Sequence, residues 1–469
     1  MPQLAQTSPT LRHAAMAVGA MSLSINIDEG SITRHEDAKY LHAISYYSRS
    51  LRLQAQRASF RTAVFLSLIL LLFESLRGQI STALHHVNHG MALLVSSLTN
   101  DGSDDVISQF SPDPRPVLKD AGEVFSRLAL QAQTVLSGRV GGPISLRNVA
   151  QGLAEKSLAM ESFISKLRQA CPAKADINRI PKRFNDLDEF EQYWTAISLE
   201  QTAIRPRIME ITHTSGILDL DNHNDLGHAF SELLGNGKVR HFFAECQTKR
   251  GAINAALIPV FDKMMLMEPK SPVRLRALQL RLQYLAHCIF DNPPQYLDIK
   301  AMQALSPACQ NYLALAAAAL DAVRHQLAAP THLVSVECDI AWHLLLISLY
   351  CRDERIREKA VQALRQYPGH DGLWNTRALY VLAQKNQVVE AINALEGSPP
   401  EQWRRLWRRE YVFEDGGERV LFRFLEMDRE GRWTLIEEVA RLEKDLDNVK
   451  WKRQHLGSGK LLLPQLTPR

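Results

Sequence analysis

The stretch FLSLILLLFESLRGQISTALHHVNHGMALL, residues 65–94, decides the fold of this 469-residue chain. Its first part is apolar on every side of a helix, which indicates a helix over residues 61–77 that is enclosed by neighbours. Gly78 then stands where helices commonly end on a left-handed residue. Apolar residues recur at steps of three and four over residues 80–98, so a second helix follows after a short link. The stretch therefore predicts an αα-hairpin.

Helical periodicity continues on both sides of the hairpin. Upstream, apolar or small residues follow steps of three and four from Tyr40 to Ala58, which predicts a third helix. Downstream, residues 185–204, 308–327 and 340–351 also have the pattern of helices, and period-two alternation is rare. We therefore predict an all-α fold, a large multi-helix body of antiparallel helical hairpins with no significant sheet.

Loop-forming composition divides the chain. Residues 99–117 collect Asn, Asp, Gly, Ser and Pro, which predicts a loop between an N-terminal helical part, residues 1–98, and a helical body, residues 118–432. Apolar residues at steps of four and three predict one long C-terminal helix over residues 433–455. Residues 456–469 are predicted to form a loose tail.

Composition excludes several classes of protein. With 46% hydrophobic and 23% charged residues, the chain is not disordered over most of its length, and a formal net charge of +4 does not by itself indicate nucleic-acid binding. The six cysteines are at least 13 residues apart, so no zinc-finger spacing can be written and free thiols in a reducing compartment are expected. The N-terminus lacks the features of a secretory signal. The apolar run over residues 63–73 is shorter than the roughly 20 residues that span a bilayer.

Three segments resemble a known family. Residues 12–22 (RHAAMAVGAMS), 42–52 (HAISYYSRSLR) and 65–94 are together similar to the start of the fungal-specific transcription factor domain. This domain is the regulatory helical region of fungal zinc binuclear cluster (Zn2Cys6-type) regulators. The habitual string of the family is matched at Phe73, Glu74, Leu76, Gly78, Ala83, His86, Gly90, Leu93 and Leu94.

The sequence departs from this family at the DNA-binding part. Such regulators resemble one another in an N-terminal cluster of six cysteines that holds two zinc ions and enters the major groove. Here the first cysteine is Cys171, inside the predicted helical body. The resemblance thus implies an effector or ligand-responsive body without its own zinc-cluster DNA reader. A shortened gene product, a partner of another factor and a miscalled gene model are the alternatives.

Two groups of residues have the character of metal ligands. His85 and His89 are four apart in the predicted helix with His86 between them, where a metalloprotease pattern needs Glu, so a structural role is the preferred interpretation. Residues 218–228 lack the spacing of a calcium loop, so a solvated turn is predicted there. The polar residues of that stretch are Asp219, Asp221, His223, Asp225 and His228.

No catalytic constellation is evident. The chain has no GxSxG, GxGxxG or GxxxxGK[ST] motif. The paired carboxylates and clustered glycines are assigned to solvated faces or loops; they are Glu437 and Glu438, Asp104 and Asp105, and Gly138, Gly141 and Gly142. We therefore predict a protein that is not an enzyme, with no catalytic, cofactor-binding or metal-binding residues and no cofactor.

Two basic motifs bear on DNA binding and nuclear import. In WRRLWRRE, residues 403–410, a helix would turn Trp403 and Trp407 toward the body. The arginines would be mostly exposed and offset by nearby acidic residues; they are Arg404, Arg405, Arg408 and Arg409. This pattern favours a solvated helix face over a phosphate clamp. KWKR, residues 450–453, is a weak nuclear import motif.

The sequence as a whole favours a fungal-type transcription regulator that acts through protein or small-molecule contacts. The resemblance implies a nuclear location, with the cytoplasm as alternative, and a link to specialised (secondary) metabolism. Expected partners are another transcription factor or a second copy, with an unknown small-molecule ligand also open. Direct sequence-specific DNA binding and membrane association are not expected. The alternative function is a helical scaffold or interaction protein derived from such regulators, with no transcriptional role.

Overall fold

A computed structural model describes most of the helical body and the C-terminal region. The described residues are 2–26, 31–32, 38–56, 59–99, 124, 175–202, 237–290, 299–324, 339–367, 370–393, 402, 405–406, 409–428, 430, 433–443 and 445–457. The N-terminal helices are α1 (Pro2–Thr7), α2 (Pro9–Ser22), α3 (Ala38–Gln56), α4 (Phe60–Leu76) and α5 (Ile80–Thr99). A short antiparallel pair, β1 (Ile25–Asn26) and β2 (Ser31–Ile32), lies between α2 and α3.

Further helices make up the middle of the chain. They are α6 (Leu187–Thr202), α7 (Gly237–Met265), α8 (Pro272–Phe290), α9 (Ile299–Ala304), α10 (Ser306–Arg324), α11 (Ile340–Tyr350), α12 (Glu354–Arg365) and α13 (Thr376–Asn393). A second short pair, β3 (His370–Asp371) and β4 (Trp374–Asn375), precedes α13. No helix among these described segments is long and apolar enough to cross a membrane.

Both ends of α4, the first helix of the α4–α5 hairpin, have defined caps. Ser59 begins α4, its Oγ accepting a hydrogen bond from the Thr62 N–H at 3.2 Å. At the other end Gly78 has a φ of +71°, its N–H donates to the Ser75 carbonyl at 3.0 Å, and the Gln79 N–H donates to the Glu74 carbonyl at 2.8 Å. This is a Schellman motif, in which a left-handed residue satisfies the last carbonyls of a helix. The predicted hairpin and its Gly78 cap are confirmed.

The C-terminal region is a four-stranded antiparallel sheet. Its strands are β5 (Glu410–Glu414), β6 (Arg419–Met427), β7 (Trp433–Arg441) and β8 (Trp451–Gly457), in the spatial order β5-β6-β7-β8. The prediction of an all-α fold without a significant sheet is therefore wrong. Residues 433–455, predicted as one long helix, form β7, the link to β8 and most of β8, and β5 and β6 lie within the predicted helical body.

The burial of β6 explains why hydrophobic periodicity did not predict the sheet. The strand β6 is buried on both faces, so Val420, Leu421 and Phe422 are enclosed in succession and the strand shows no period-two alternation. The β5–β6 turn uses left-handed backbone, with φ of +52° at Asp415 and +95° at Gly417. A Cβ on Gly417 would lie 2.8 Å from the Asn375 Cβ, so this position requires glycine.

One contiguous apolar core connects the N-terminal helices with the sheet. It runs from Leu11 in α2 through the helical body to Ile436 in β7. Near the sheet, the Trp342 and Trp374 rings stack with centroids 4.3 Å apart, and Trp374 packs edge-on against Phe413. The sheet is thus part of the main body rather than an appendage.

Candidate functional site

Two residues of the family-like string, Phe73 and Glu74, belong to a network of contacts between α3 and α4. Glu74 is buried, and its Oε2 lies 3.0 Å from Nη1 of Arg77. Nη2 of Arg77 donates to the Tyr40 hydroxyl at 3.4 Å. Burial, followed by a hydrogen bond with Glu74, raises the pKa of Tyr47 well above its ordinary value. We call Tyr40, Tyr47, Phe73, Glu74 and Arg77 the signature network.

Aromatic contacts complete the signature network. The rings of Tyr47 and Phe73 stack with centroids 4.5 Å apart, and the Arg77 guanidinium lies 5.8 Å from the Phe73 ring centroid. Because Tyr47 lies on α3 and Phe73 on α4, these contacts fix one helix against the other. Phe73 and Glu74 of the string therefore help to hold α4 against α3.

The three histidines of α5 do not converge. His85 and His89 are exposed, whereas His86 is partly buried. Burial, then the nearby charges of His89 and His85, lowers the pKa of His86 to about 4, so its imidazole is neutral at physiological pH. Within the part of the chain that the structure describes, no group of three or more His, Cys, Asp or Glu side chains is placed to hold a metal ion.

The described arginines of the WRRLWRRE motif point inward. Arg405 and Arg409 are 1% and 5% exposed, so the prediction of an exposed basic face is wrong for both. Arg409 donates to the Leu349 carbonyl at 2.8 Å and pairs with the carboxylate of Glu390 on α13. The motif leads into β5 at Glu410, and the charge of Arg409 is neutralised inside the protein. The other arginines and both tryptophans of the motif, Trp403, Arg404, Trp407 and Arg408, lie outside the described residues.

Arg409 belongs to a buried group of charges between α11, α12 and α13. Arg352 Nη1 lies 2.5 Å from Glu390 Oε1, and Arg357 acts on the same carboxylate. Burial would raise the pKa of Glu390, but the charges of Arg409, Arg352 and Arg357 lower it, so the carboxylate is ionised. Burial lowers the pKa of Arg357. We call Arg352, Arg357, Glu390 and Arg409 the Glu390 cluster.

The Glu390 cluster also satisfies the last turn of α11. Arg409 donates to the Leu349 carbonyl, and Arg357 donates to the Cys351 carbonyl at 2.9 Å. Carbonyls at a helix C-terminus have no partner within the helix and carry partial negative charge, so guanidinium groups suit them. Sequence reasoning missed the cluster because its members are distant along the chain; the acidic position in the otherwise apolar VVEAI stretch of α13 is a local sign of it.

The N-terminus of α11 is capped by a residue that is distant in the sequence. Asp339 precedes the helix with a φ of +42° and makes no side-chain cap bond. Asp371 instead accepts a hydrogen bond from the Ala341 N–H through its Oδ2 at 2.8 Å. Asp371 is fully buried; burial, then the charge of Asp339, raises its pKa to about 7. This carboxyl therefore titrates near physiological pH.

The carboxylate pair in β7 is buried, not solvated. Glu437 Oε2 lies 2.6 Å from Arg423 Nη2. Glu438 pairs with Lys385 of α13, and its Oε1 lies 3.5 Å from Nη1 of Arg453. The prediction of a solvated face for this pair is wrong, because cations on β6, β8 and α13 neutralise the two carboxylates. Arg453, the last residue of KWKR, is accordingly engaged on β8.

Several predicted features lie outside the described residues. They are residues 100–117 of the predicted loop, Asp104 and Asp105, the glycines Gly138, Gly141 and Gly142, the stretch 218–228 with its acidic residues and histidines, and the tail from residue 458.

Residues 1–115 match the model of the fungal specific transcription factor domain. The match confirms the resemblance inferred from residues 12–94, and it contains the whole signature network. No curated protein and no solved structure matches the chain.

Proposed function

From the match of residues 1–115 to the fungal specific transcription factor domain, we propose that this protein regulates transcription through contacts with other proteins. In this proposal it works in the nucleus, catalyses no reaction and reaches promoters through a partner that reads DNA. The match is the observation that carries the proposal, because it covers the hairpin and the signature network together.

The use of basic residues supports action through protein partners. A protein that reads DNA needs exposed Lys and Arg to neutralise phosphates and an element that reaches base edges. In the two basic motifs, however, Arg409 and Arg453 are engaged with carboxylates of the protein, and Arg405 is buried. The full-length chain carries a formal net charge of only +4.

The signature network supports an intact regulatory module. Arg77 bonds to both Glu74 and Tyr40, and Phe73 is fully enclosed. The signature network thus holds α3 against the buried helix α4 and leaves the exposed face of α3 for partners. Contacts that influence transcription would use this face of α3 while the network keeps its geometry fixed.

A tethering assay tests the proposal. The full chain is fused to a heterologous DNA-binding domain and brought to a reporter promoter in a fungal host, with the DNA-binding domain alone as reference. We expect the fusion to change reporter transcription. Leu70→Asp should abolish the change, because Leu70 is buried in α4, whereas Leu41→Asp, at an exposed leucine of α3, should preserve the folded module.

A fusion that is expressed, folded and present in the nucleus but leaves the reporter unchanged would contradict the proposal and favour the helical scaffold. Affinity purification of the chain without the heterologous DNA-binding domain would then return a stable complex that contains no transcription factors.

A further inference from the structure

Two buried thiols face each other where α10 begins and α11 ends. Cys309 lies in the first turn of α10, Cys351 follows the last residue of α11, and each thiol shifts the pKa of the other, so the two side chains are close together. Both cysteines are buried and free. Ser306, one turn before Cys309 on the same side of α10, places its Oγ 4.0 Å from the Cys351 Sγ. Because Ser306 and Cys309 are one turn apart, this contact places the face of α10 that carries Cys309 against Cys351.

The surroundings of Cys351 are electropositive. Arg357 donates to the Cys351 carbonyl at 2.9 Å and belongs to the Glu390 cluster, in which three guanidinium groups share one carboxylate. Cysteines beside arginine are stabilised as thiolates, the nucleophilic form. The interaction with Cys309 is the largest influence and lowers the pKa of Cys351 against the opposing effect of burial, while the same interaction raises the pKa of Cys309.

We propose that Cys309 and Cys351 form a redox site, in which hydrogen peroxide converts the two thiols into a reversible disulfide. This site goes beyond the proposed function and does not depend on it. In this site Cys351, beside Arg357, is the attacking thiolate and Cys309 is the resolving thiol. Hydrogen peroxide is close to water in size, so it suits a site with little exposed surface.

Hydrogen peroxide oxidises the two thiols to the disulfide in two steps. The Cys351 sulfur attacks one oxygen of hydrogen peroxide, the O–O bond breaks, and the departing hydroxide takes a proton to leave as water, which gives a sulfenic acid. The Cys309 sulfur then attacks the sulfenic sulfur, the S–S bond forms, the S–O bond breaks, and a second water leaves with the proton of Cys309. Two thiols are oxidised and one peroxide is reduced to two waters. A dithiol reductant reverses the reaction by thiol–disulfide exchange.

The disulfide would join elements that the Glu390 cluster already organises. It would tie the start of α10 to the end of α11, where Arg357 holds the Cys351 carbonyl. Oxidation would also remove the thiolate charge that Arg357 faces. The expected consequence is a protein whose α10–α11 junction is covalently fixed in the oxidised state.

Mass spectrometry of the reduced full-length protein tests the site. The protein is treated with a slight excess of hydrogen peroxide, remaining thiols are alkylated, and the protein is digested without reductant. We expect a cross-linked peptide pair containing Cys309 and Cys351, lost after dithiothreitol treatment. Cys246→Ser changes a buried cysteine of α7, outside the proposed site. It is the matched control and should keep the cross-link.

Variants of the pair assign the two roles. With Cys309→Ser, dimedone should label Cys351 as a sulfenic acid, because the resolving thiol is gone. With Cys351→Ser, dimedone labelling at Cys309 should be much weaker. The cross-linking experiment on the wild-type protein tests the proposal even if a variant fails to fold. Cys309 and Cys351 remaining thiols while Cys288 oxidises, or a cross-link from either one to another cysteine, would overturn the proposal.

Discussion

Arg409 and Glu390 form an ion pair in which both side chains are excluded from solvent, at 0% and 1% exposure. The pair joins the segment that enters β5 to α13. Each partner has additional bonds, since Arg409 also donates to the Leu349 carbonyl and Glu390 also pairs with Arg352. A buried ion pair is tolerated when such bonds satisfy both ions, so the stability of this junction depends on the carboxylate.

Glu390→Gln should strongly destabilise the protein. The substitution keeps the shape of the side chain but leaves the arginines of the Glu390 cluster without their shared anion, which costs about 3–5 kcal/mol. Denaturant unfolding at neutral pH measures the loss. Glu358→Gln, at an exposed glutamate of α12, is the control and should leave the free energy of unfolding nearly unchanged. Equal stability of the two variants would show that the buried carboxylate does not hold the cluster.

Asp371 should make the stability of the protein depend on pH. Its pKa in the folded state, about 7, lies above its ordinary value of 3.8, so the folded protein binds the proton more tightly than the unfolded chain. The resulting stabilisation is fully present below about pH 4 and is lost as the pH rises through about 7. Asp371→Asn stays neutral and keeps an acceptor for the Ala341 N–H. Its free energy of unfolding should therefore fall less than that of the wild type between about pH 5 and pH 8.

The control for this experiment is Asp262→Asn, at an exposed aspartate of α7. It should follow the pH dependence of the wild type. The role assigned to Asp371 would be refuted by identical pH profiles for the wild type and Asp371→Asn.

A pair of glycine substitutions tests the hairpin link. Gly78 has a φ of +71°, and no atom lies within 4 Å of the place that a Cβ would take, so Gly78→Ala should cost only backbone strain, about 1–2 kcal/mol. Gly19 lies inside α2 with equally open surroundings and no positive φ, so Gly19→Ala should stabilise by about 0.5–1 kcal/mol. Thermal and denaturant unfolding compare the two. Effects of the same sign would contradict the Schellman cap.

The sequence predicted the N-terminal helices because their apolar residues mark single faces or a fully enclosed helix. Tyr40 and Ala43 are buried on α3, and nearly the whole of α4 is buried, as its composition requires. The signature network could be predicted from the sequence only in part. The string of residues is local, whereas the hydrogen bond from Arg77 to Tyr40 joins residues that are 37 positions apart. The local sequence pattern identifies helices but not the elements that they pack against.

The sheet was missed because side chains far apart in sequence decide it. Glu437 and Glu438 have the pattern of one polar helix face, and only the ion pairs with Arg423 and Lys385 allow both to be buried in a strand. The turn over residues 415–417 was the available sign, because Asp-Gly-Gly between runs of aromatic and β-branched residues is typical of a hairpin.

Leu70→Asp should unfold the N-terminal part of the body. Leu70 is 3% exposed in the apolar helix α4, where a lone carboxylate costs several kcal/mol. Leu41→Asp introduces the same side chain at a position that is 55% exposed, so it should remain folded. Circular dichroism melting and size-exclusion chromatography distinguish the two. Unchanged melting of Leu70→Asp would mean that α4 is a binding surface instead of a core helix.

Purified protein should bind DNA only weakly and without sequence preference. Two arginines of the basic motifs are engaged within the protein, since Arg409 pairs with Glu390 and Arg453 pairs with Glu426 at 2.7 Å. Lys450 and Lys452 of KWKR are exposed and contribute to the surface charge. Binding through the remaining surface charge should be sensitive to salt, with a Kd on the order of 10⁻⁴ to 10⁻⁶ M near physiological salt. Selection from random DNA sequences, followed by titration without partners, is the measurement.

The same measurement separates a protein that lacks a DNA reader from one whose reader lies elsewhere in the chain. Weak, unselective binding together with promoter occupancy in cells would require a second protein to supply base contacts, because phosphate contacts position a protein without specifying sequence. Enrichment of a defined motif at nanomolar affinity would contradict the prediction. Arg404 and Arg408 would then be the first residues to substitute, since the other two arginines of the motif, Arg405 and Arg409, are buried.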